Sequence, residues 1–189
     1  ASTSDKINAT YAEGDHFSFS ILHDGKQTGI SFRGIPNGHE FTSLLLAVLN
    51  ADGKGKNLPD SAITARIKAL KGKEIRLQTY VSLTCTNCPD VVQALNVMAL
   101  ANPNITHEMI DGGLWQDEVT RLNIPVAEQN LGQLAALLRI RINHFAPYQY
   151  NQVKGQPFVV SELVTAFEKL LKAPLPKEES GTFYTKILQ

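Results

Sequence analysis

The feature that most constrains the fold of this chain is a pair of cysteines, Cys85 and Cys88, separated by two residues. The preceding residues 75–81 are rich in β-branched and aromatic side chains, which indicates a strand. From Pro89 onward the apolar residues recur at helical spacing, at Val91, Val92, Leu95, Met98 and Ala99. The thiols are therefore expected at a strand-to-helix junction, where unpaired helix N–H groups favour a thiolate. Cys-x-x-Cys in this setting is typical of a dithiol–disulfide redox site.

The spacing suits two thiols that act in turn, because cysteines one helical turn apart form a disulfide with little backbone movement. We predict that Cys85 is the nucleophile that attacks a partner disulfide and that Cys88 is the resolving thiol. Thr86 and Asn87 are predicted to tune the redox potential through hydrogen bonds to sulfur. Pro89 is grouped with these redox-tuning residues because it follows the second thiol directly. It lacks an N–H and therefore suits the first helical turn.

Other uses of the pair remain open: a structural disulfide, a metal site or inert thiols. Zinc takes four ligands, and the chain has no second cysteine pair and no two histidines close together, so no metal is expected. A disulfide that closes so small a loop stabilises little. The redox interpretation is favoured.

Composition excludes several classes of function. The 189 residues fit one large domain or two small ones. With 18 acidic and 18 basic residues, no basic stripe suggests a nucleic-acid partner. No apolar run approaches the roughly 20 residues of a membrane span, and no secretory signal opens the sequence. Two cysteines in one tight pair suit a reducing compartment, so a cytoplasmic α/β or α+β protein is expected.

The first segment, residues 6–70, predicts a hairpin and two helices without any cysteine. Residues 17–22 alternate and end at Asp24-Gly25, a hairpin turn signal, and residues 28–33 form the returning strand. A loop over residues 34–40 opens an apolar helix, and a second helix is capped by Asp60 or Ser61. The second segment begins at residue 73. After the dithiol helix it predicts a strand at 105–111 and a helix at 114–122.

Three stretches carry a family resemblance: residues 36–44 (PNGHEFTSL), 84–96 (TCTNCPDVVQALN) and 105–112 (ITHEMIDG). They resemble the N-terminal domain of the alkyl hydroperoxide reductase flavoprotein subunit, over about residues 6–125. That domain is similar to two fused thioredoxin folds, of which only the second keeps its CxxC. The resemblance implies tandem thioredoxin-like (glutaredoxin-like) α/β folds in three α/β/α layers, with the first unit truncated. The units expected are 1–72 and 73–175, followed by a linker or tail at 176–189.

The resemblance also implies a function, namely an electron relay in peroxide detoxification. The chain would be a disulfide oxidoreductase module, the N-terminal part of an NADH-dependent peroxiredoxin reductase. Electrons from NADH would pass through FAD and a second CxxC in later domains, and then through Cys85 and Cys88 to a peroxiredoxin. The chain contains no G-x-G-x-x-G, so FAD and NADH are expected in downstream domains of the same polypeptide. A homodimer of the full-length protein is compatible with this picture. The alternatives are a stand-alone thioredoxin- or glutaredoxin-like general disulfide reductase and a non-catalytic docking domain.

Two further site residues follow from the resemblance. Glu40 is placed near the CxxC, where a buried carboxylate can accept and donate thiol protons. The alternative is an exposed acid at a helix N-terminus that complements the helix dipole, and His39 beside it is interpreted as a loop residue. Pro125 is predicted to be the cis-proline that faces the dithiol, with Pro157 as its rival and an ordinary loop proline as the alternative for both.

Beyond Pro125 the sequence departs from the family pattern. Residues 127–137 are helix-like, residues 138–143 alternate like a strand, and residues 161–172 predict a helix. A hairpin is predicted between residues 138–143 and 158–160, with residues 145–152 as an aromatic loop. In that hairpin Ile140 and Ile142 are expected to be buried beside Phe167, and Arg139 and Arg141 to be exposed.

Overall fold

The computed structural model describes residues 4–70, 74–121, 138–142, 146–150 and 159–172. In these ranges the strands are β1 (Ser18–His23), β2 (Lys26–Arg33), β3 (Ile75–Val81), β4 (Ile105–Asp111), β5 (Leu138–Ile142) and β6 (Ala146–Tyr150). The helices are α1 (Phe41–Ala51), α2 (Ser61–Ala69), α3 (Cys88–Ala101), α4 (Gln116–Arg121) and α5 (Val160–Lys172), and a one-turn 3₁₀ helix (Gly38–Glu40) precedes α1. The strands form one mixed sheet in the order β1-β2-β4-β3-β5-β6.

The centre of the sheet is parallel: β4 pairs in parallel with both β2 and β3. The carboxyl ends of these strands therefore lie at one edge of the sheet, and the loops that follow them are neighbours. The amide of Gly112, just after β4, donates to the carbonyl of Val81 at the end of β3, at 2.9 Å. This edge of the sheet carries the dithiol.

The main core lies between the sheet and α3. Alternate residues of β3 are buried, as the period of a strand requires, and they face a helix buried along most of its length. Leu95 and Met98 are fully buried, and each such side chain stabilises the fold by roughly 1.5–3 kcal/mol. Helix α5 joins the same core through Leu163 and Phe167. Helix α4 lies on the other face of the sheet, where Glu118 accepts hydrogen bonds from Arg33 and Tyr80.

A buried polar cluster fixes α3 on the two central strands. The Nδ1–H of His107 donates to Asn96 Oδ1 at 2.7 Å, and its Nε2 accepts from Thr79 Oγ1 at 2.8 Å. Because the ring is 1 % exposed, burial lowers the pKa of His107 to about 3, so the imidazole is neutral. Both ring nitrogens therefore have a hydrogen-bond partner while the imidazole stays neutral.

Most predicted elements of the first 121 residues are confirmed. The hairpin turns at Asp24 and Gly25, which both have positive φ, and the strands predicted at 75–81 and 105–111 are found there. Asp60 caps α2 by accepting from the Ile63 amide at 2.8 Å. The helix predicted at 114–122 begins later than predicted, at Gln116, and its predicted last residue lies outside the described residues.

The predicted closing hairpin is wrong in its second strand. Strand β5 forms as predicted, but its partner is β6 and not residues 158–160, and Val160 begins α5. The expected aromatic loop is therefore largely a strand, because Tyr148 and Tyr150 favour extended backbone. Pro147 is compatible with β6 because, among the described strands, this one lies at the edge of the sheet, where a missing N–H can face outward.

Several predictions lie outside the described residues. They are the positions of Pro125 and Pro157, the helix-like stretch at 127–137, the tail at 176–189, and the side chains of Arg139, Ile140, Arg141 and Ile142. Strands from both predicted units join one sheet through the pairing of β2 with β4. The α/β class is confirmed, and the boundary at residue 72 stays a prediction.

Candidate active site

The dithiol lies at the predicted junction between β3 and α3. The chain turns after β3, with the Cys85 amide donating to the Ser82 carbonyl at 2.9 Å, and α3 begins at Cys88. Both cysteines are free thiols. Cys85 is partly exposed, whereas Cys88 is 3 % exposed. A partner sulfur can therefore approach Cys85 directly and Cys88 only through it.

Cys85 is surrounded by hydrogen-bond donors. The pKa of its thiol is lowered to about 6, first by a hydrogen bond from the Cys88 thiol and then by the backbone N–H groups of Asn87 and Cys88. The Cys88 amide lies 3.2 Å from Cys85 Sγ. The nearby charge of His39 acts in the same direction, and partial burial opposes it. At neutral pH Cys85 is mainly the reactive thiolate.

The pKa of Cys88 is shifted in the opposite direction to that of Cys85. Its pKa is raised, first because it donates its hydrogen bond to Cys85 and then because it is buried beside the charge of that thiolate. The charge of Glu40 raises it further. The pair therefore holds one proton, and that proton resides on Cys88. This arrangement favours Cys85 as the nucleophile and makes Cys88 dependent on a base.

Glu40 is a buried carboxyl group beside this pair and not an exposed capping acid. Its side chain is fully buried and makes no capping hydrogen bond to α1. Oε2 accepts from Ser43 Oγ at 2.7 Å, whereas Oε1 is buried without a hydrogen-bond partner among the described residues. Burial raises the pKa of Glu40 to about 7, the hydrogen bond from Ser43 opposes this, and the charges of Cys85 and Asp90 add to it.

A close backbone contact positions Glu40. The Asn37 side chain caps the 3₁₀ helix by accepting from the Gly38 amide at 2.8 Å, and the His39 amide donates to the Leu83 carbonyl at 3.3 Å. Gly38 has φ +56°, and a Cβ there would lie 2.7 Å from Leu83 O. Only glycine permits this approach. The loop before α1 is thus tied to the turn that carries Cys85.

The predicted redox-tuning residues differ in their contacts. The backbone of Asn87 reaches Cys85 Sγ, and Pro89 is buried in the first turn of α3. Thr86 is exposed, and within the described ranges no hydrogen bond joins it to a sulfur. Sequence reasoning missed Ser43 and treated His39 as an ordinary loop residue. The i,i+3 spacing of Glu40 and Ser43 was the available signal.

Apolar side chains are exposed along the same edge of the sheet. Ile35, after β2, is 62 % exposed, Leu114, after β4, is 66 % exposed, and Phe41, at the start of α1, is 51 % exposed. A Cβ at Gly34 would lie 3.6 Å from Leu114 Cδ1, so the loops after β2 and β4 are in contact. We call these three residues the apolar rim.

Two other classes of site concern metal ions and membranes. In the described part of the chain, no group of three or more His, Cys, Asp or Glu side chains could hold a metal ion. No helix there combines the length and the apolar composition needed to cross a membrane.

Curated relatives match part of this chain. Over 101 residues the chain is 54 % identical to AhpF, an alkyl hydroperoxide reductase component of Staphylococcus epidermidis, covering 53 % of this chain and 20 % of the relative. Over 125 residues it is 50 % identical to a protein named NADH dehydrogenase from Bacillus subtilis, covering 66 % of this chain and 24 % of the relative. The chain thus spans about a fifth to a quarter of the length of these relatives. No protein-family model matches it.

Solved structures agree with these relatives. AhpF from Enterococcus faecalis, in a cysteine-to-alanine mutant, superposes with a TM-score of 0.63 at 31 % identity, over 79 % of this chain and 64 % of that one. A structure of the N-terminal domain alone, from the same organism, gives a TM-score of 0.57 at 31 % identity, over 76 % and 60 % of the two chains. The chain is similar to the N-terminal domain of the alkyl hydroperoxide reductase protein AhpF.

The resemblance to this AhpF domain extends to a wider fold group. A protein disulfide oxidoreductase from Aeropyrum pernix superposes with a TM-score of 0.61 at 18 % identity, over 81 % of this chain and 59 % of that one, which shows a shared fold. Together with the CxxC geometry, these similarities support the thioredoxin-like fold and the oxidoreductase module that the sequence predicted.

Proposed function

We propose that the chain is a dithiol–disulfide relay that passes two electrons from a flavin-containing reductase to the disulfide of a peroxiredoxin. The observation that carries this proposal is the pairing of an accessible thiol of low pKa, Cys85, with a buried thiol of raised pKa, Cys88. Similarity to AhpF supports the peroxide context. A reducing cytoplasm suits a dithiol that must be regenerated.

In the first step the Cys85 thiolate attacks one sulfur of the partner disulfide. A bond forms between Cys85 Sγ and that sulfur, the partner's S–S bond breaks, and its second sulfur leaves as a thiolate that takes a proton from water. The backbone N–H groups of Asn87 and Cys88 stabilise the attacking thiolate before this step.

In the second step Cys88 attacks Cys85 Sγ. Its proton passes to the Glu40 carboxylate, the Cys85–Cys88 bond forms, and the partner's remaining sulfur leaves as a thiolate. The negative charge of Cys85 is lost in the first step, so one cause of the raised pKa of Glu40 disappears. Glu40 therefore ionises more readily when Cys88 must lose its proton. The dithiol is oxidised and the partner is reduced by two electrons.

Regeneration runs these steps in the opposite direction. A dithiol of the reductase attacks the Cys85–Cys88 disulfide, and protonated Glu40 returns its proton to Cys88 as that thiolate leaves. FAD and NADH supply the electrons within the reductase domains, where we place them because the chain has no G-x-G-x-x-G turn. Pro125, as a cis-proline, would present the backbone edge before it to the partner.

A protein partner fits the surface around Cys85 better than a small disulfide does. The apolar rim is exposed on the edge of the sheet that carries the dithiol. Apolar residues beside a reactive thiol gain contact area only when a macromolecular surface covers them.

Comparison of two protein substrates tests the proposal. The reduced chain is mixed with an oxidised bacterial peroxiredoxin or with insulin, and the formation of substrate thiols is followed. Faster reduction of the peroxiredoxin is expected. Equal or faster reduction of insulin would instead support a general disulfide reductase, and no reduction of either protein would support a docking domain.

A further inference from the structure

We propose that Ser43 is a positioning residue for proton transfer at the dithiol, because it holds one oxygen of Glu40 and leaves the other oxygen available to the thiol proton. This inference rests on the proposed function, in which Glu40 exchanges a proton with Cys88. It assigns a role to a side chain that makes no described contact with either sulfur.

The spacing of Glu40 and Ser43 along the chain brings their side chains together. Ser43 lies three residues after Glu40, so the two side chains share one face of the first turn of α1. Ser43 Oγ donates to Glu40 Oε2 at 2.7 Å, a length typical of an O–H···O⁻ bond. Both residues are 0 % exposed, so neither polar group can bond to bulk water.

Packing alone does not account for a serine at this position. Ala47, one turn further along the same face of α1, is buried without any polar atom. A buried hydroxyl costs free energy unless it is hydrogen-bonded, and Glu40 is the partner that satisfies Ser43. Alanine would fill nearly the same volume.

The groups around Glu40 show what the hydroxyl contributes. Helix α3 and the turn before it present Cys85, Cys88 and Asp90 to Glu40, whereas the neighbouring His39 acts on Cys85. Burial and the negative charges of Cys85 and Asp90 all disfavour the carboxylate, whereas the hydrogen bond from Ser43 favours it. Without that bond the pKa of Glu40 would be higher still, so a smaller fraction of Glu40 would be ionised and able to accept a proton from Cys88.

Orientation is the second contribution. Because Ser43 holds Oε2, Oε1 is the carboxyl oxygen left to accept a proton, and it is buried without a hydrogen-bond partner among the described residues. An unpaired buried oxygen is costly in a resting structure. It is useful if it receives a proton once in each catalytic cycle.

A small chromogenic disulfide isolates the step involved. Stopped-flow mixing of the reduced full chain with dithiobis(nitrobenzoate) releases one thionitrobenzoate when Cys85 attacks and a second when Cys88 resolves the adduct. The rate of the second release is measured against pH. This rate should rise with pH as Glu40 ionises, and we call that rise the Glu40 limb of the pH profile. In Ser43→Ala the midpoint of this limb should move up by about one pH unit, as expected for loss of a hydrogen bond to a charged group. Ser43→Thr, which keeps the hydroxyl, should restore the limb.

The matched control is Thr42→Val. Thr42 is the exposed neighbour whose hydroxyl donates to the His39 carbonyl and not to Glu40, so its loss should leave the limb in place. A Ser43→Ala profile with the wild-type midpoint, whether or not the rate is uniformly lower, would overturn the role of Ser43. Glu40→Gln separates the two proposals, because survival of the limb in that variant would contradict proton transfer by Glu40 itself.

Discussion

Gly38 lies so close to Leu83 that a Cβ on the glycine would be 2.7 Å from the Leu83 carbonyl oxygen. The 3₁₀ helix that carries Glu40 therefore rests directly on the turn that carries Cys85. The glycine at the start of this 3₁₀ helix thus permits the close approach that brings Glu40 beside the dithiol.

This contact predicts a large effect of Gly38→Ala. Gly53 is a matched control, because it also has a positive φ (+70°) but has nothing within 4 Å of an added Cβ. Gly53→Ala should cost about 1 kcal/mol of unfolding free energy from backbone strain alone. Gly38→Ala should cost at least twice as much, since the backbone must also shift. Equal losses in denaturant titrations would mean that the contact contributes nothing.

The hydrogen bonds to Cys85 predict how its reactivity depends on pH. Alkylation of wild-type Cys85 should follow a pKa of about 6. Cys88→Ala should raise that midpoint the most, because it removes the donor with the largest effect, and His39→Gln should raise it less. His23→Gln is the control, since His23 lies near Asp52 and not beside the dithiol. A midpoint that does not change in Cys88→Ala would contradict this account of the thiolate.

Burial of Glu40 predicts a slope of stability with pH. Its pKa in the folded protein is raised from 4.5 to about 7, so between these values the folded state binds more protons than the unfolded state. This contribution is complete below about pH 4.5 and is lost as pH rises through 7, and it amounts to about 3 kcal/mol.

The difference between the wild type and Glu40→Gln isolates this contribution. Both proteins retain His107, whose lowered pKa acts in the opposite direction, so its effect cancels. Unfolding free energies of the reduced proteins are compared at pH 5 and pH 8. The wild type should lose stability relative to the variant as pH rises, and a constant difference would show that Glu40 does not titrate near neutrality.

The sequence predicted the elements in which local pattern and tertiary burial agree. Residues 75–81 are rich in β-branched and aromatic side chains. Both this segment and residues 105–111 are central parallel strands, and their bounds are those predicted. Pro89 and the apolar residues after it placed the start of α3 within one residue. Cys85 and Cys88 lie where that junction requires.

Elsewhere the deciding information lay in tertiary structure. Glu40 has the same local pattern as an exposed acid at a helix start, but its side chain is buried in the fold, where Gly38 packs against Leu83. Ser43 has the local pattern of an ordinary helix residue. Pro147 made residues 145–152 look like a loop, because the sequence does not show that β6 forms an edge of the sheet.

Trapping of the mixed disulfide tests the central claim most directly. Reduced Cys88→Ser is mixed with an oxidised peroxiredoxin, and non-reducing electrophoresis with mass spectrometry identifies the adduct. A pre-reduced peroxiredoxin serves as the control that should give none. We predict that Cys88→Ser accumulates an adduct through Cys85 and that Cys85→Ser accumulates none. An adduct formed by Cys85→Ser through Cys88, with none formed by Cys88→Ser, would contradict the account.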